Sequence, residues 1–104
     1  MNNFETLYKK AFEISPIKKL SEDASCGGVG AALLAANRTV YTGICIDAQC
    51  GLGFCAEHSA VAEMLKDGQS QVIEMVAVLW DGKVIPPCGR CRELLSQINP
   101  KNKQ

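Results

Sequence analysis

The spacing of hydrophobic positions alternates along this chain between helical and strand-like patterns, which predicts a layered α/β fold. Apolar residues at intervals of three and four predict amphipathic helices at residues 4–12, at about 55–66, and from Pro86-Pro87 to Asn99-Pro100. Continuous or alternating apolar runs predict strands at residues 29–36, 39–46 and 72–80, and the last is apolar enough to be covered on both faces. The resulting order of helix, strand, strand, helix, strand and helix indicates helices packed on a mixed sheet.

Length and charge narrow the class of protein. At 104 residues the chain is expected to form one domain, 1–104. Its 11 basic and 11 acidic residues cancel without a basic stripe, so we expect a small-molecule substrate and no nucleic-acid polymer. The first residues show no secretory pattern, and the longest apolar run, 31–36, is too short for a bilayer. These features predict a cytoplasmic protein without membrane contact.

The chain contains six cysteines, an even number that would suit a disulfide framework. Because disulfides seldom persist in the cytosol, we expect thiols instead. Cys26, Cys45 and Cys50 lie outside any motif and are interpreted as small buried hydrophobic residues. The other cysteines, at positions 55, 88 and 91, each lie where a predicted helix begins.

Cys55, Cys88 and Cys91 have the arrangement expected of zinc ligands. The first turn of a helix carries unpaired N–H groups and the positive end of the helix dipole, and both stabilise a thiolate. The interval between Cys88 and Cys91 is a usual chelating spacing. Three protein ligands leave a tetrahedral Zn²⁺ with one open position, as in catalytic sites. A redox pair is the alternative for this segment, but such pairs follow an early strand, whereas this one follows two prolines late in the chain.

Four polar residues beside these thiols have predicted roles. Glu57 lies two residues after Cys55, where it is placed to accept a proton from water at the open position. His58, Arg90 and Arg92 are expected to surround the thiolates and offset their charge by hydrogen bonding to the sulfurs. Each of these residues alone is equally well explained as a helix-dipole partner, a core histidine or a solvated side chain. Their joint occurrence favours a catalytic metal centre.

The segments Cys55-Ala56-Glu57 and Pro87-Cys88-Gly89-Arg90-Cys91-Arg92-Glu93 resemble the paired motifs of the cytidine deaminase family, which includes blasticidin-S deaminases. The similarity runs from about Val29 to Leu95. It implies a three-layer α-β-α domain with a mixed central sheet, the three cysteines as zinc ligands and Glu57 as proton shuttle. It also implies a homotetramer or homodimer. Because chains of the family usually continue beyond the third helix, the fold is expected to lack the family's C-terminal strands.

Three positions depart from the family's pattern and bear on the substrate. Family members that act on cytidine carry an aromatic residue where this chain has Gly27, and an Asn and a Glu that hold the ribose where it has Ile44 and Ile46. With a one-residue gap, Asp47 takes the place of that Glu. Without these polar partners, we expect poor turnover of plain cytidine relative to an analogue with a less polar appendage.

The predicted function is zinc-dependent hydrolytic deamination of an amino-substituted heterocycle, a cytosine-like nucleoside or analogue, with release of ammonia. Glu57 would pass protons from water to the ring and to the leaving ammonia, while backbone groups near Ala56 and Pro87 contact the base edge. The alternative is a non-catalytic zinc-binding domain, a pseudoenzyme or interaction module. Glu57 argues against it, because a structural zinc site uses four protein ligands and needs no further carboxylate.

Overall fold

The computed structural model describes residues 3–49, 52–86 and 89–102. The helices are α1 Asn3–Glu13, α2 Ala56–Lys66 and α3 Gly89–Ile98, and the strands are β1 Lys18–Lys19, β2 Ala24–Ala35, β3 Val40–Ala48, β4 Val72–Leu79 and β5 Val84–Ile85. A 3₁₀ turn follows at Pro100–Asn102. The predicted helices and long strands are confirmed in order; β1 and β5 were not predicted, because two residues carry no periodic signal. None of the described helices is long and apolar enough to cross a membrane.

β2 is the central strand of the sheet and lies between β3 and β4, and the short strand β5 pairs with the other side of β4. All pairings among the described strands are antiparallel, whereas the expected sheet was mixed. β3 and β4 do run in the same direction, as expected of strands joined by a helical crossover. Since β2 lies between them, the β3-α2-β4 connection produces no parallel pair. Sequence order alone did not reveal this insertion of β2.

Helices cover both faces of the sheet, which confirms the three-layer α-β-α arrangement. On one face, α1 contributes Leu7 and Ala11 to a core that it shares with residues 32, 34, 76 and 78 of β2 and β4. On the other face, α2 and α3 contribute side chains to a core that also contains Ala31 and Leu33 of β2. Alternate residues of β2 therefore belong to different cores. Each large apolar side chain buried in this way contributes roughly 1.5–3 kcal/mol to stability.

Gly43 allows α2 to lie directly on β3. A Cβ atom at this position would lie 2.6 Å from the Ser59 Cβ and 2.7 Å from the Ala56 carbonyl oxygen, both in the first half of α2. These distances are shorter than van der Waals contact, so any side chain at position 43 would push the helix off the sheet. The glycine thus sets the position of the N-terminal turn of α2.

β2 begins at Ala24, five residues before the predicted start, and its pairing with β3 shifts register between Cys26 and Gly30. Gly27 and Gly28 within this bulge have φ angles of +84° and +86°, which glycine adopts without steric cost. The bulge lacks an alternating apolar pattern, and for that reason the prediction started the strand after it.

Asn102, at the end of the 3₁₀ turn, joins α3 to the start of β4. Its side-chain oxygen accepts a hydrogen bond from the Val72 N–H at 2.8 Å, and its amide donates to the carbonyls of Ser70 at 2.9 Å and Leu95 at 3.1 Å. The residue is 4% exposed. A single buried amide therefore holds the C-terminal end of α3 against the sheet.

Candidate metal centre and adjoining cleft

The N-terminal turns of α2 and α3 bring three metal-binding side chains together. The sulfur atoms of Cys55 and Cys91 and a ring nitrogen of His58 all lie within 4.8 Å of one another. Cys55 immediately precedes α2, His58 lies in the first turn of that helix, and Cys91 is in the first turn of α3. Cys91 is buried, and the other two are half-buried. The starts of α2 and α3 therefore lie next to each other at these residues.

The local backbone explains why Cys55 and His58 share one side of α2. Cys55 is the N-cap, with an extended conformation of φ −75° and ψ 153°. Its carbonyl oxygen accepts hydrogen bonds from the N–H groups of His58 at 3.1 Å and Ser59 at 3.4 Å. Side chains three residues apart at a helix start lie on the same face. The cysteine is therefore at the positive end of the helix dipole, where a thiolate is favoured.

The donor set fits a zinc ion. Zn–S bonds of about 2.3 Å in a tetrahedral site place ligand sulfurs about 3.8 Å apart, so donors within 4.8 Å need only a small contraction. Nε2 of His58 is buried and has no hydrogen-bond partner among the described residues, a state that a metal or a thiolate would relieve. His58 was predicted to lie beside the ligands, and the structure brings it into the group of donor atoms itself. Cys88, predicted as a ligand, and Pro87, predicted as a substrate contact, lie outside the described residues.

A cleft of about 690 Å³ adjoins the metal centre. Cys55, Ala56 and Glu57 line it, and Glu57 is 4% exposed. Asp47 and Arg90, which are exposed, also border the cleft. The structure thus places Glu57, the predicted proton carrier, and Cys55, a predicted ligand, at the same cleft. The predicted substrate contacts Ala56 and Asp47 border it too. A buried carboxylate beside a metal-binding thiol is the arrangement that proton transfer near a metal requires.

Two residues with predicted roles lie elsewhere. Arg92 is exposed and does not border the cleft, because it follows Cys91 on α3 and projects from a different side of the helix. Ile44 does not border the cleft either, whereas Ile46 does. Of the two isoleucines that replace polar residues of the family, only Ile46 is therefore part of the wall.

Several wall residues were not predicted from the sequence. Phe54 and Trp80 both border the cleft, and they are 40% and 58% exposed. Trp80 was assigned to the end of a buried strand, but it lies in the turn after β4. Phe54 forms two backbone hydrogen bonds of 3.0 Å with Ile46, in a loop with no periodic pattern. The only sequence clue to such a residue was a neighbouring turn signal, as Asp81-Gly82 is for Trp80.

The cysteines outside the motif are only partly as expected. Cys26 and Cys45 are free thiols and half-buried, while Cys50 lies outside the described residues. The Cys45 thiol borders the cleft and donates a hydrogen bond to the Gly27 carbonyl at 2.7 Å. Burial raises the pKa of Cys45, so this thiol stays protonated near neutral pH and is a poor metal ligand.

A family comparison agrees with this geometry. Residues 1–103 match the family model described as the cytidine and deoxycytidylate deaminase zinc-binding region. This chain belongs to that family. The predicted resemblance is confirmed, and the family's description as a zinc-binding region agrees with the donor group at the two helix starts.

Curated relatives named cytidine deaminase support the assignment to this family. The chain is 36% identical over 73 residues to the cytidine deaminase of Halalkalibacterium halodurans, covering 69% of this chain and 55% of that protein. It is 37% identical over 68 residues to the cytidine deaminase of Mycobacterium tuberculosis, covering 64% of this chain and 51% of the relative. The chain thus spans about half the length of these relatives.

Solved structures show the same fold. The crystal structure of cytidine deaminase from Mycobacterium tuberculosis superimposes with a TM-score of 0.80 at 27% identity, covering 99% of this chain and 83% of that chain. The Mycobacterium leprae enzyme gives a TM-score of 0.79 at 26% identity, covering 99% and 86%. The predicted α/β fold class is confirmed by these similarities.

Proposed function

We propose that this chain is a zinc-dependent hydrolytic deaminase acting on an amino-substituted heterocycle, a cytosine-like nucleoside or analogue. The observation that carries the proposal is the position of Glu57. Glu57 is buried and borders the same cleft as Cys55, and the Cys55 sulfur belongs to the metal-binding group. A stability site would gain nothing from a buried carboxylate that it does not need as a ligand.

Cys55 and Cys91 would hold the zinc ion together with Cys88, which precedes Cys91 at the chelating spacing noted in the sequence. When bound, zinc supplies the polarisation that makes water nucleophilic at neutral pH. Several thiolates around one Zn²⁺ give the group a negative charge, which weakens that polarisation. The His58 ring, one nitrogen of which lies within 4.8 Å of the sulfurs, would supply a hydrogen-bond donor that disperses this charge.

Glu57 would hold and move the proton. As a carboxylate, it would accept a proton from water and deliver it to the ring nitrogen while the hydroxide adds to the carbon that bears the amino group. It would then take the proton of the added hydroxyl group and pass it to the amino group, so that the C–N bond breaks and ammonia leaves. Backbone groups of Ala56 and of Pro87 would pair with the edge of the base. Arg90 and Asp47 at the rim supply one positive and one negative charge, which suits a substrate with little net charge.

The wall residues favour a substrate other than plain cytidine. Ile46 borders the cleft where a polar residue would be needed to bind a ribose hydroxyl, and an apolar wall leaves that hydroxyl unpaired. Asp47 is exposed and borders the cleft, so it is the side chain left to accept a hydroxyl hydrogen bond there. We therefore expect a lower kcat/KM for cytidine than for analogues with a less polar appendage.

The test combines ammonia release with a charge-neutral substitution. Purified zinc-loaded protein is assayed against aminopyrimidines, aminopurines and nucleosides, and Glu57→Gln is compared with the wild type on the best substrate. The variant is expected to retain zinc and thermal stability and to lose about 10²- to 10⁴-fold in kcat, the usual contribution of a general acid–base group.

Glu63→Gln is the matched control, because Glu63 is exposed on the same helix. It is expected to keep wild-type kcat. Wild-type ammonia release by Glu57→Gln would reduce Glu57 to a structural role. Full zinc occupancy with no ammonia release from any compound would instead support the non-catalytic zinc-binding domain.

The proposal extends to the setting of the reaction. It takes residues 1–104 as one domain of a cytoplasmic homotetramer or homodimer that binds a small-molecule substrate, with no nucleic-acid polymer and no membrane as partner. The balanced charge of 11 basic and 11 acidic residues supports the choice of a small substrate over a polyanion.

A further inference from the structure

We propose that Trp80 is the stacking platform for the heteroaromatic ring of the substrate. The inference rests on the proposed function, because it places that ring in the cleft beside Glu57. Trp80 is 58% exposed, yet it borders the same cleft as the buried carboxylate. A large aromatic side chain exposed at a cleft wall has apolar area to offer a planar ligand.

The backbone at Trp80 is held on both sides. Its N–H donates to the Gly28 carbonyl at 2.9 Å, which ties it to the bulge of β2. The following turn is closed by the Gly82 N–H, which donates to the Leu79 carbonyl at 2.8 Å, and by the Tyr8 hydroxyl, which donates to the Gly82 carbonyl at 2.7 Å. A ring carried on a fixed backbone loses little freedom when a ligand stacks on it.

Part of the cleft wall next to Trp80 is formed by glycines. Gly27 and Gly28 both border the cleft, and both have positive φ angles. A Cβ atom at Gly27 would overlap the Pro16 carbonyl, so this backbone does not admit an aromatic residue at position 27. Since position 27 has no ring, Trp80, one backbone hydrogen bond away from these glycines, is the aromatic group placed to replace it.

Phe54 is the other aromatic residue at the cleft, and it is less exposed, at 40%. Exposed rings on α1, such as Phe4, do not border the cleft and form an aromatic row with Tyr8 instead. Exposure alone therefore does not single out Trp80. The combination of exposure, a fixed backbone and a shared cleft with Glu57 does.

The experiment uses the fact that Trp80 is the sole tryptophan of the chain. Fluorescence excited at the red edge of the tryptophan absorption band, where the two tyrosines do not absorb, thus reports on this residue alone. Cytosine and cytidine are titrated into zinc-loaded Glu57→Gln, in which turnover is suppressed, and ribose serves as the non-aromatic control. Saturable quenching by cytosine and cytidine, with none by ribose, is the expected result.

Activity measurements on variants complete the test. Base stacking on an aromatic side chain, removed by alanine, corresponds to about a 5- to 140-fold loss of binding. Trp80→Ala is therefore expected to raise KM by this factor with a smaller change in kcat, while Trp80→Phe retains most of the affinity. Ile73→Ala is the control, because Ile73 is also exposed on β4 but does not border the cleft.

The outcomes separate this inference from the proposed function. Quenching by cytosine without ammonia release from the wild type would support the stacking site while removing the deaminase proposal. Ammonia release with an unchanged KM in Trp80→Ala and no quenching would overturn the stacking role and leave the proposed activity in place. An equal rise of KM in Trp80→Ala and Ile73→Ala would also overturn it.

Discussion

Asn102 is predicted to be the residue that most strongly couples α3, and with it Cys91, to the sheet. The perturbation is Asn102→Ala, which removes all three side-chain hydrogen bonds without introducing bulk. The Val72 N–H, at a residue that is 9% exposed, is then left without its partner. The Leu95 carbonyl keeps a second donor, the Asn99 N–H at 3.2 Å.

The magnitude follows from these contacts. An unsatisfied buried N–H costs about 1–3 kcal/mol, and each further neutral hydrogen bond contributes about 0.5–1.5 kcal/mol net. The Leu95 carbonyl retains a donor, so its lost bond adds little. The expected loss is therefore the cost of the unsatisfied Val72 N–H plus that of the hydrogen bond to the Ser70 carbonyl. The free energy of unfolding is therefore expected to fall by roughly 2–4 kcal/mol. For a domain of this size, that corresponds to a decrease in Tm of at least about 8 °C.

Urea denaturation of zinc-free and zinc-saturated protein measures this loss, with Asn99→Ala as the control. Asn99 is half-buried next to the 3₁₀ turn, and its side chain bonds Ser70 at 3.2 Å and the Lys101 N–H at 3.0 Å. Its substitution is expected to cost about 1 kcal/mol. Zinc affinity of Asn102→Ala should also fall, since α3 carries Cys91. A loss within 0.5 kcal/mol of that in Asn99→Ala would show that water replaces the amide and would refute the reasoning.

Other expectations concern the metal, the cleft thiol and assembly. Cys88→Ala is expected to abolish stoichiometric zinc binding measured by elemental analysis, whereas Cys26→Ala should keep it; full occupancy in the first variant would remove Cys88 from the ligand set. Because burial raises the pKa of Cys45, the unfolded state loses this proton first as the pH rises above about 8.5. The free energy of unfolding should then fall more steeply with pH in the wild type than in Cys45→Ala, and parallel pH profiles would contradict this. Light scattering should show a homotetramer or homodimer, and an active monomer at micromolar concentration would argue against assembly.

Local patterns in the sequence were enough to predict α2 and α3, the helices that carry the metal-binding residues. The apolar stripe of α2 begins just after Cys55, and α3 follows a proline pair. Both helix starts, and the thiols at them, could therefore be predicted. Helix periodicity depends on neighbours a few residues apart and is therefore readable from one chain. The same locality explains why β1 and β5 were missed, as their pairing depends on β2 and β4 and on no pattern of their own.

The sequence by itself determined the fold class, the helix starts, and the types of side chain that could bind a metal and move a proton. Only the tertiary structure decided that β2 lies between β3 and β4, that the His58 ring joins the sulfurs, and that Trp80 faces the cleft instead of the core. Each of these depends on contacts between segments far apart in the chain, such as the Trp80 hydrogen bond to Gly28. Such contacts are set by packing and backbone pairing across the whole sheet, and no local pattern encodes them.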